Sequence, residues 1–370
     1  MAEAPRRPWR IVHSESEIGW GGQERRILAE LAGFQRRGCA VCLLAAPHSR
    51  IYERAARAGI LLHPLNVAKL RFPITVLETT RWLRLQRPDV LNTHSSRDGW
   101  IVGLAGRLAG VPLIIRTRHI DVTYPSRWLS VHAYRTLPHH VLATSEKITT
   151  HFLSFFSLPA ERVSTIPTGI DLNLFSPDGQ AAVLSMDQTK APFIGMVSVL
   201  RSWKGHQTFI EAACVLRDSG LTARFIIVGE GGLRSSIERW IHEKQLEGCF
   251  TLAGHREDVP DVLRALRVLV IPSTAHEGIP QIGLQALATK TPVIGSDVGG
   301  IPEIIRPGET GRIFPARDAF SLARAIRETL DHPESTRAMA ERGRAMVVAT
   351  HSLEAMLNKL DALYRRYLPA

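Results

Sequence analysis

Short apolar segments alternate with longer segments of helical periodicity along most of the chain. In the first half the apolar segments are RIVHS, AVCLLAA, ILLHPL, DVLNTH, PLIIRTRH, HVLATS and VSTIPTG, each typical of a strand. Between the first two lies a helical segment whose apolar residues Ile27, Leu28, Leu31 and Phe34 share one face, followed by Gly38 as a suitable helix end. Such alternation predicts a parallel sheet covered on both faces.

The alternation stops once and then resumes. LNLFSPDGQAAVLSMDQTKAP lacks periodicity and is typical of a linker. The second series of strand candidates is FIGMVSVL, ARFIIVGE, CFTLAG, VLVIPS, PVIGS and GRIFP, and helical segments from about Asp318 to Tyr367 close the chain. We therefore predict an α/β fold of two doubly wound, Rossmann-like domains with a cleft between them. The predicted parts are a first domain 1–175, a linker 176–190, a second domain 191–350 and a C-terminal helix 351–370 that packs back toward the first domain.

The composition agrees with a folded soluble protein. The chain has 370 residues, of which 45% are hydrophobic and 22% charged, and no apolar run reaches the roughly 18 residues of a membrane span. The start has no apolar signal core, which predicts a cytoplasmic protein. Four cysteines do not suggest a disulfide framework. Cys39 and Cys42 form C-x-x-C, but inside a buried strand candidate, which favours core cysteines over metal or redox chemistry.

Positive charge is concentrated in the first half. Through Gln180 there are 23 Lys and Arg against 14 Asp and Glu, and in the remainder 23 against 21. This excess suits an anionic partner, although general solubility is the alternative reading. No motif of a nucleic-acid-binding class accompanies it, so nucleic acid is not expected as a partner. The segment 72–88, with three arginines and Trp82, predicts either an amphipathic helix at a membrane surface or a helix packed on the sheet.

A glycine cluster follows the first strand in SEIGWGGQE. Gly21 and Gly22 lead into a helix, where glycine lets the backbone approach a ligand and the helix N-terminus offers N–H groups to an anion. An ordinary turn is the alternative, because the spacing is not that of a dinucleotide fingerprint.

A basic pair follows the first strand of the second series in VSVLRSWKGHQTF. Arg201 and Lys204 stand three residues apart at a helix entrance, with Gly205 at the turn. Two cations and a helix N-terminus predict a diphosphate site, and a solvated basic loop is the alternative.

A carboxylate and an amide follow another strand in HEGIPQIGLQAL. Glu277 lies in a loop, a helix starts near Pro280, and Gln285 comes about one turn into that helix. In GSDVGGIPEII, Gly299 and Gly300 precede a further helix whose first turn contains Glu303, which either contacts substrate or favours the helix dipole.

In this order and spacing the motifs resemble glycosyltransferase family 4, whose members are retaining enzymes of the GT-B fold. The resemblance extends over nearly the whole chain, from the GGQE loop through DVLNTHSS, IPTGID, LRSWKGH, IVGEGGLR and LAGHREDV to the block IPSTAHEGIPQIGLQALATKTPVIGSDVGGIPEII. RTRHI, LRSWKGH and EGIPQIGLQA are also similar to bacterial members that build lipopolysaccharide cores and related surface glycans.

The resemblance implies roles for particular residues. Glu277 would contact the hydroxyls of the donor sugar, and the backbone amides near Gly278, Gln281 and Ile282 would hold the diphosphate. Arg201 and Lys204 would neutralise the leaving diphosphate. The remaining implied roles are those of His119 beside the donor sugar, Gly21 and Gly22 close to the phosphates or acceptor, and Gln285 at the ribose.

Two departures from the family pattern matter. Arg201 stands closer to Lys204 than is usual, so it could approach the phosphates differently, or Ser198 and Ser202 could share the contact. Gln285 replaces the usual carboxylate, and an amide offers one acceptor oxygen and an NH2 donor. We expect nucleotide binding to weaken by about 1 kcal/mol and the chemistry to survive.

The resulting hypothesis is a metal-independent, retaining hexosyl- or heptosyltransferase. It would move a sugar from a nucleotide-diphosphate sugar to a hydroxyl of an anionic glycolipid, lipopolysaccharide-type or oligosaccharide acceptor, as a monomer in the cytoplasm or at the inner membrane face. No D-x-D motif is present, so we expect no metal and no further cofactor. The alternatives are a sugar-nucleotide 2-epimerase and a non-catalytic protein that binds sugar nucleotides or glycans.

Overall fold

A computed structural model describes residues 7–120, 127–184 and 191–368. Their contacts form two units: the first comprises the chain up to Gly169 and again from Leu353, and the second comprises Ile170–Ser352. The predicted first domain ends at 175 and the predicted second domain at 350, whereas the two units divide at Gly169 and Ser352, and the described part of the predicted linker, 176–184, belongs to the second unit. The end of the predicted linker, 185–190, and the last two residues of the predicted C-terminal helix lie outside the described residues.

All thirteen predicted strands form, and each is parallel to its neighbours in the sheet. The strands are β1 Arg10–Glu15, β2 Ala40–Ala45, β3 Leu61–Pro64, β4 Val90–Thr93, β5 Leu113–Arg118, β6 His140–Ala143, β7 Val163–Thr165, β8 Phe193–Val197, β9 Arg224–Val228, β10 Phe250–Gly254, β11 Val268–Ile271, β12 Val293–Ser296 and β13 Arg312–Phe314. The α-helices are α1 Gly22–Arg36, α2 Arg50–Arg57, α3 Phe72–Gln86, α4 Ser96–Ala109, α5 Arg127–Arg135, α6 Glu146–Phe155, α7 His206–Asp218, α8 Arg234–Glu243, α9 Val259–Ala265, α10 Gln281–Ala288, α11 Ile301–Ile304, α12 Ala319–Asp331, α13 Pro333–Thr350 and α14 Leu353–Tyr367.

The first unit is built on a seven-stranded sheet in the order β3-β2-β1-β4-β5-β6-β7. Its inner strands β2, β1, β4, β5 and β6 are almost continuously buried, as expected for a sheet covered on both faces. Helix α14 returns to this unit and packs on α1, where the Tyr364 ring stacks on Phe34 at a centroid distance of 5.4 Å. The order places β4 between β1 and β5, although those strands are far apart in the chain.

The second unit is built on a six-stranded sheet in the order β10-β9-β8-β11-β12-β13. One face is filled by an apolar cluster around Phe209, Phe225 and Phe250, and the other by a cluster around Leu284, Leu287 and Ile301. Strand β11 lies between β8 and β12, so the loops that follow these three strands are neighbours at the carboxyl edge of the sheet. The prediction of two doubly wound α/β domains is confirmed.

Candidate functional site

Lys204 and Glu277 form an ion pair at the carboxyl edge of the second sheet. The Lys204 Nζ lies 2.5 Å from the Glu277 Oε1, although the two residues are 73 positions apart. The Ser273 hydroxyl donates to the same oxygen at 2.5 Å, and the Glu277 side chain is 6% exposed. A buried carboxylate is stable when it is paired and hydrogen-bonded in this way. The site therefore presents a fixed anion beside a partly exposed cation.

Two glycines shape the loops that carry this pair. Gly205 follows Lys204 with φ +77°, and a Cβ there would lie 1.8 Å from the Pro272 carbonyl oxygen. Gly299 has φ +62°, and a Cβ there would lie 2.1 Å from the carbonyl oxygen of Glu277. Only glycine fits such positive φ values at this distance from another backbone. Gly299 therefore lies against the Glu277 loop, and this contact explains why GSDVGG has glycine at that position.

Helix α10 begins directly behind the Glu277 loop. Pro280 precedes it, and Gln281 and Ile282 are its first two residues, both half-buried. The first N–H groups of a helix have no intrahelical acceptor, and they carry the positive end of the helix dipole. Gly278 is buried in the loop, and Gln285 lies on the fifth position of α10 with 9% of its surface exposed. The predicted diphosphate and ribose positions thus follow one another along a single loop and helix.

Arg201 is exposed and lies against a tryptophan ring of its own loop. Its guanidinium carbon lies 5.2 Å from the centre of the Trp203 ring. The Trp203 carbonyl accepts the Thr274 N–H at 2.7 Å, which links the loop after β8 to the loop after β11. Arg201 therefore lies over Trp203 in the loop that also carries Lys204.

His119 ends a chain of three buried histidines in the first unit. Its Nε2 lies 2.9 Å from the Nδ1 of His94, whose Nε2 lies 3.0 Å from the Nδ1 of His13. These residues belong to or follow the neighbouring strands β5, β4 and β1. Burial, together with nearby positive charge, holds the pKa of His94 and of His119 well below its usual range, and burial lowers the pKa of His13 to about 4. The two nitrogens of His94 point to different neighbours, so the three rings do not converge on a metal.

A second polar cluster lies where the GGQE loop meets the start of α4. The Glu15 carboxylate accepts from the Ser95 hydroxyl and from the Gln23 amide, both at 2.5 Å. Asp98 accepts from two backbone amides and two serine hydroxyls. Burial and the neighbouring Asp98 raise the pKa of Glu15 to about 8, and burial raises that of Asp98 to about 6.

The two glycines of the GGQE loop start helix α1. Gly22 is its first residue, and the Gly21 N–H donates to the Glu24 carboxylate at 2.7 Å. The structure therefore places every predicted site residue after the carboxyl end of a strand. Lys204, Glu277 and the start of α10 are together in the second unit, and His119, Gly21 and Gly22 are in the first.

Sequence reasoning missed Ser273, His13, His94 and Asp98. Ser273 falls in IPSTAHEG, the motif that also contains Glu277, so its position four residues before Glu277 is a signal that could have found it. His13 lies within β1 and His94 directly follows β4, and only the order of the strands shows that they meet.

Two doubly wound parallel-sheet units with candidate site residues after the carboxyl ends of their strands are the architecture of GT-B glycosyltransferases. A structure of HepE from Anabaena in complex with UDP and glucose has the same fold, with a TM-score of 0.84 over 96% of this chain and 99% of that one at 18% identity. Residues 185–346 match the model of Glycosyl transferases group 1, and residues 20–174 match that of Glycosyltransferase Family 4. The chain therefore belongs to these glycosyltransferases.

Curated relatives cover most of the chain. A UDP-Gal:alpha-D-GlcNAc-diphosphoundecaprenol alpha-1,3-galactosyltransferase of Escherichia coli is 26% identical over 318 residues, which are 81% of this chain and 81% of the relative. A lipopolysaccharide core biosynthesis mannosyltransferase, LpcC, of Rhizobium leguminosarum bv. viciae is 30% identical over 240 residues, 62% of this chain and 64% of the relative. The protein is a glycosyltransferase.

Proposed function

We propose that the protein transfers a sugar from a nucleotide-diphosphate sugar to a hydroxyl of a glycolipid or lipopolysaccharide-type acceptor, with retention of the anomeric configuration. The observation that carries the proposal is the ion pair of Lys204 with the buried Glu277, beside the N-terminus of α10. A cation, helix amides and a fixed carboxylate at one edge suit a ligand that has both a diphosphate and hydroxyl groups.

Each side chain has a chemical role in this proposal. Lys204 and the first-turn amides of α10 bind the diphosphate, and Arg201 reaches it by leaving the Trp203 ring. Glu277 accepts hydrogen bonds from the sugar hydroxyls, and Lys204 and Ser273 hold its side chain in place. Gln285 binds the ribose. Preformed charges aimed at the departing diphosphate stabilise the transition state without reorganising during the reaction.

The reaction step breaks the bond between the anomeric carbon and the phosphate oxygen. The acceptor oxygen bonds to the anomeric carbon on the same face, and its proton passes to the leaving phosphate oxygen. We expect no divalent metal in this step, because Lys204 and Arg201 supply the positive charge. Activity that EDTA abolishes and Mg²⁺ or Mn²⁺ restores would contradict this expectation.

The donor is tested by thermal-shift measurements with UDP-, GDP- and ADP-sugars. We expect a UDP-sugar to stabilise the protein most, since a structural neighbour binds UDP and glucose and one relative uses UDP-Gal by name. Slow release of UDP and free sugar by the purified protein then separates an enzyme from a binding protein. NMR of the first sugar released, before mutarotation, reads the anomeric outcome, and an inverted product would refute retention.

An apolar and basic face of α3 supports contact with an anionic membrane. One side of the helix packs in the first unit through Val76 and Leu83. The opposite side exposes Ile74, Leu77 and Leu85, the last with 79% of its surface accessible, among exposed arginines. None of the helices in the described part of the chain is long and apolar enough to cross a bilayer.

We propose that this face binds the cytoplasmic surface of the membrane, where a glycolipid acceptor would be found. Flotation with anionic liposomes at low salt tests the idea. Leu77→Ser with Leu85→Ser should reduce binding strongly, whereas Val348→Ser, an exposed apolar residue of the second unit, should not. Absence of binding by the unaltered protein would refute membrane contact.

A further inference from the structure

The chain of buried histidines has two possible arrangements of its protons. Each neutral imidazole has one N–H donor and one acceptor nitrogen. Because His94 is bonded on both sides, its donor can face only one neighbour. The direction of one bond therefore fixes the direction of the other, and all three rings carry their proton on Nε2 or all three carry it on Nδ1.

Glu30 lies beside His13, at the opposite end of the three histidines from His119. The Nε2 of His13 is 3.9 Å from the Glu30 Oε2, both side chains are fully buried, and neither atom has a hydrogen-bond partner among the described residues. The other Glu30 oxygen accepts the Nε–H of Arg26 at 2.6 Å in an ion pair that holds the carboxylate in place. An N–H of His13 directed at this oxygen is attracted to it, whereas a lone pair in the same direction is repelled.

We propose that Glu30, through His13 and His94, holds His119 with its proton on Nε2, so that His119 presents an acceptor Nδ1 to a substrate hydroxyl. In this arrangement His13 directs its Nε2–H at Glu30, His94 donates to His13, and His119 donates to His94. His13, His94 and Glu30 are positioning residues, because they act on the substrate only through His119. The inference rests on the proposed function for the identity of the substrate, a hydroxyl-bearing sugar, but not for the proton arrangement.

The other charged side chains that act on these three histidines, Arg26 and Arg118, are positive. Arg26 and Arg118 disfavour added positive charge on the rings, which keeps them neutral. The Tyr364 hydroxyl is buried near the same Arg26–Glu30 pair and is neutral, since burial raises its pKa well above the usual range. Glu30 is thus the charged group that sets the direction of the hydrogen bonds between the three histidines.

Ring nitrogen shifts measure the proton positions directly. The full chain is labelled with ¹⁵N-histidine, and long-range ¹H–¹⁵N correlations distinguish protonated from unprotonated ring nitrogens. The signals of His119 are identified by their loss in His119→Gln. In the free protein we expect limiting shifts with Nε2 protonated in His13, His94 and His119, in contrast to the averaged shifts of exposed histidines such as His332. A protonated Nδ1 on His119 would overturn the proposal.

Two variants separate the effect of Glu30 from an intrinsic preference of the rings. In Glu30→Gln the excess of one tautomer, on the order of tenfold for the attraction of an N–H to a nearby ionised carboxylate, should disappear. Glu53→Gln is the control, because Glu53 also pairs with an arginine four residues away but is exposed on α2. An unchanged His119 tautomer in Glu30→Gln would refute the role of Glu30.

A second variant tests the role of Glu30 if Glu30→Gln fails to fold because Arg26 is left buried without its partner. Arg26→Gln with Glu30→Gln removes both charges of the pair and should show the same loss of preference. Turnover of a UDP-sugar should fall about tenfold in the folded variant while UDP affinity stays unchanged. If no nucleotide sugar is turned over by the unaltered protein, the proposed function fails, whereas the nitrogen shifts still decide the proton arrangement.

Discussion

The contact of Gly299 with the Glu277 loop can be tested by adding one methyl group. In Gly299→Ala the new Cβ would lie 2.1 Å from the Glu277 carbonyl oxygen, at a φ of +62°. The left-handed backbone costs about 1–2 kcal/mol for a residue other than glycine. The overlap adds about 1–3 kcal/mol, because the loop must move to relieve it. We therefore expect a loss of about 2–5 kcal/mol in the free energy of unfolding and a displaced Glu277.

Gly308→Ala is the matched control for this change. Gly308 lies in the same unit with φ +74°, but its added Cβ would meet no atom within 4 Å. It should lose only the backbone contribution of about 1–2 kcal/mol, and each kcal/mol lowers the melting temperature of a domain of this size by about 2–4 °C.

The assay combines thermal melting with release of UDP from a UDP-sugar. A misplacement of about 1 Å at the reacting centre is enough for a loss of roughly 100-fold in rate, so Gly299→Ala should lose turnover and Gly308→Ala should retain it. Equal melting temperatures and equal turnover in the two variants would refute the claim that Gly299 holds the Glu277 loop.

Three further predictions concern single side chains. Glu277→Gln should lower turnover by about 100-fold with nucleotide affinity retained, since the charge that contacts the sugar is lost. The control is Glu309→Gln, which alters an exposed ion pair. Unchanged turnover in Glu277→Gln would remove Glu277 from the donor site. Gln285→Glu should tighten nucleotide binding by roughly fivefold in calorimetry, because about 1 kcal/mol is regained; transfer found only in this variant would instead mean that the native site is damaged. The folded-state pKa of Glu15 is raised to about 8, above its value of 4.5 in the unfolded chain, so its contribution to stability is present below pH 4.5 and is lost as the pH rises toward 8. Glu15→Gln should therefore flatten the decline in melting temperature between pH 5 and pH 8, and a steeper decline would contradict the assignment.

The strands and helix ends were predictable because they follow from local chemistry. Runs such as AVCLLA and VLVI are buried on both faces, so their apolar character is continuous in the sequence. Helix α1 ends at Arg36, and Gly38 beyond it has φ +82°, the conformation for which glycine is favoured. The loops after the strands could be chosen as candidate sites because parallel sheets bind ligands at that edge.

The contacts within the candidate site were less predictable. The motif HEGIPQIGLQAL indicates Glu277, but not that Lys204 and Ser273 hold its carboxylate, since the first of these comes from a loop 73 residues earlier. The same limit applies to Gly299, whose need for a missing Cβ is set by a carbonyl of another loop.

By itself, the sequence determined two α/β domains, their thirteen strands and the residue types available for a glycosyl transfer. The tertiary structure decided which of those residues meet. His13, His94 and His119 lie on or after three strands that are distant in the chain, and they form one hydrogen-bonded chain because β4 lies between β1 and β5 in the sheet. The physical reason is that hydrophobic periodicity is a local property, whereas the order of strands in a sheet is set by the packing of the whole unit.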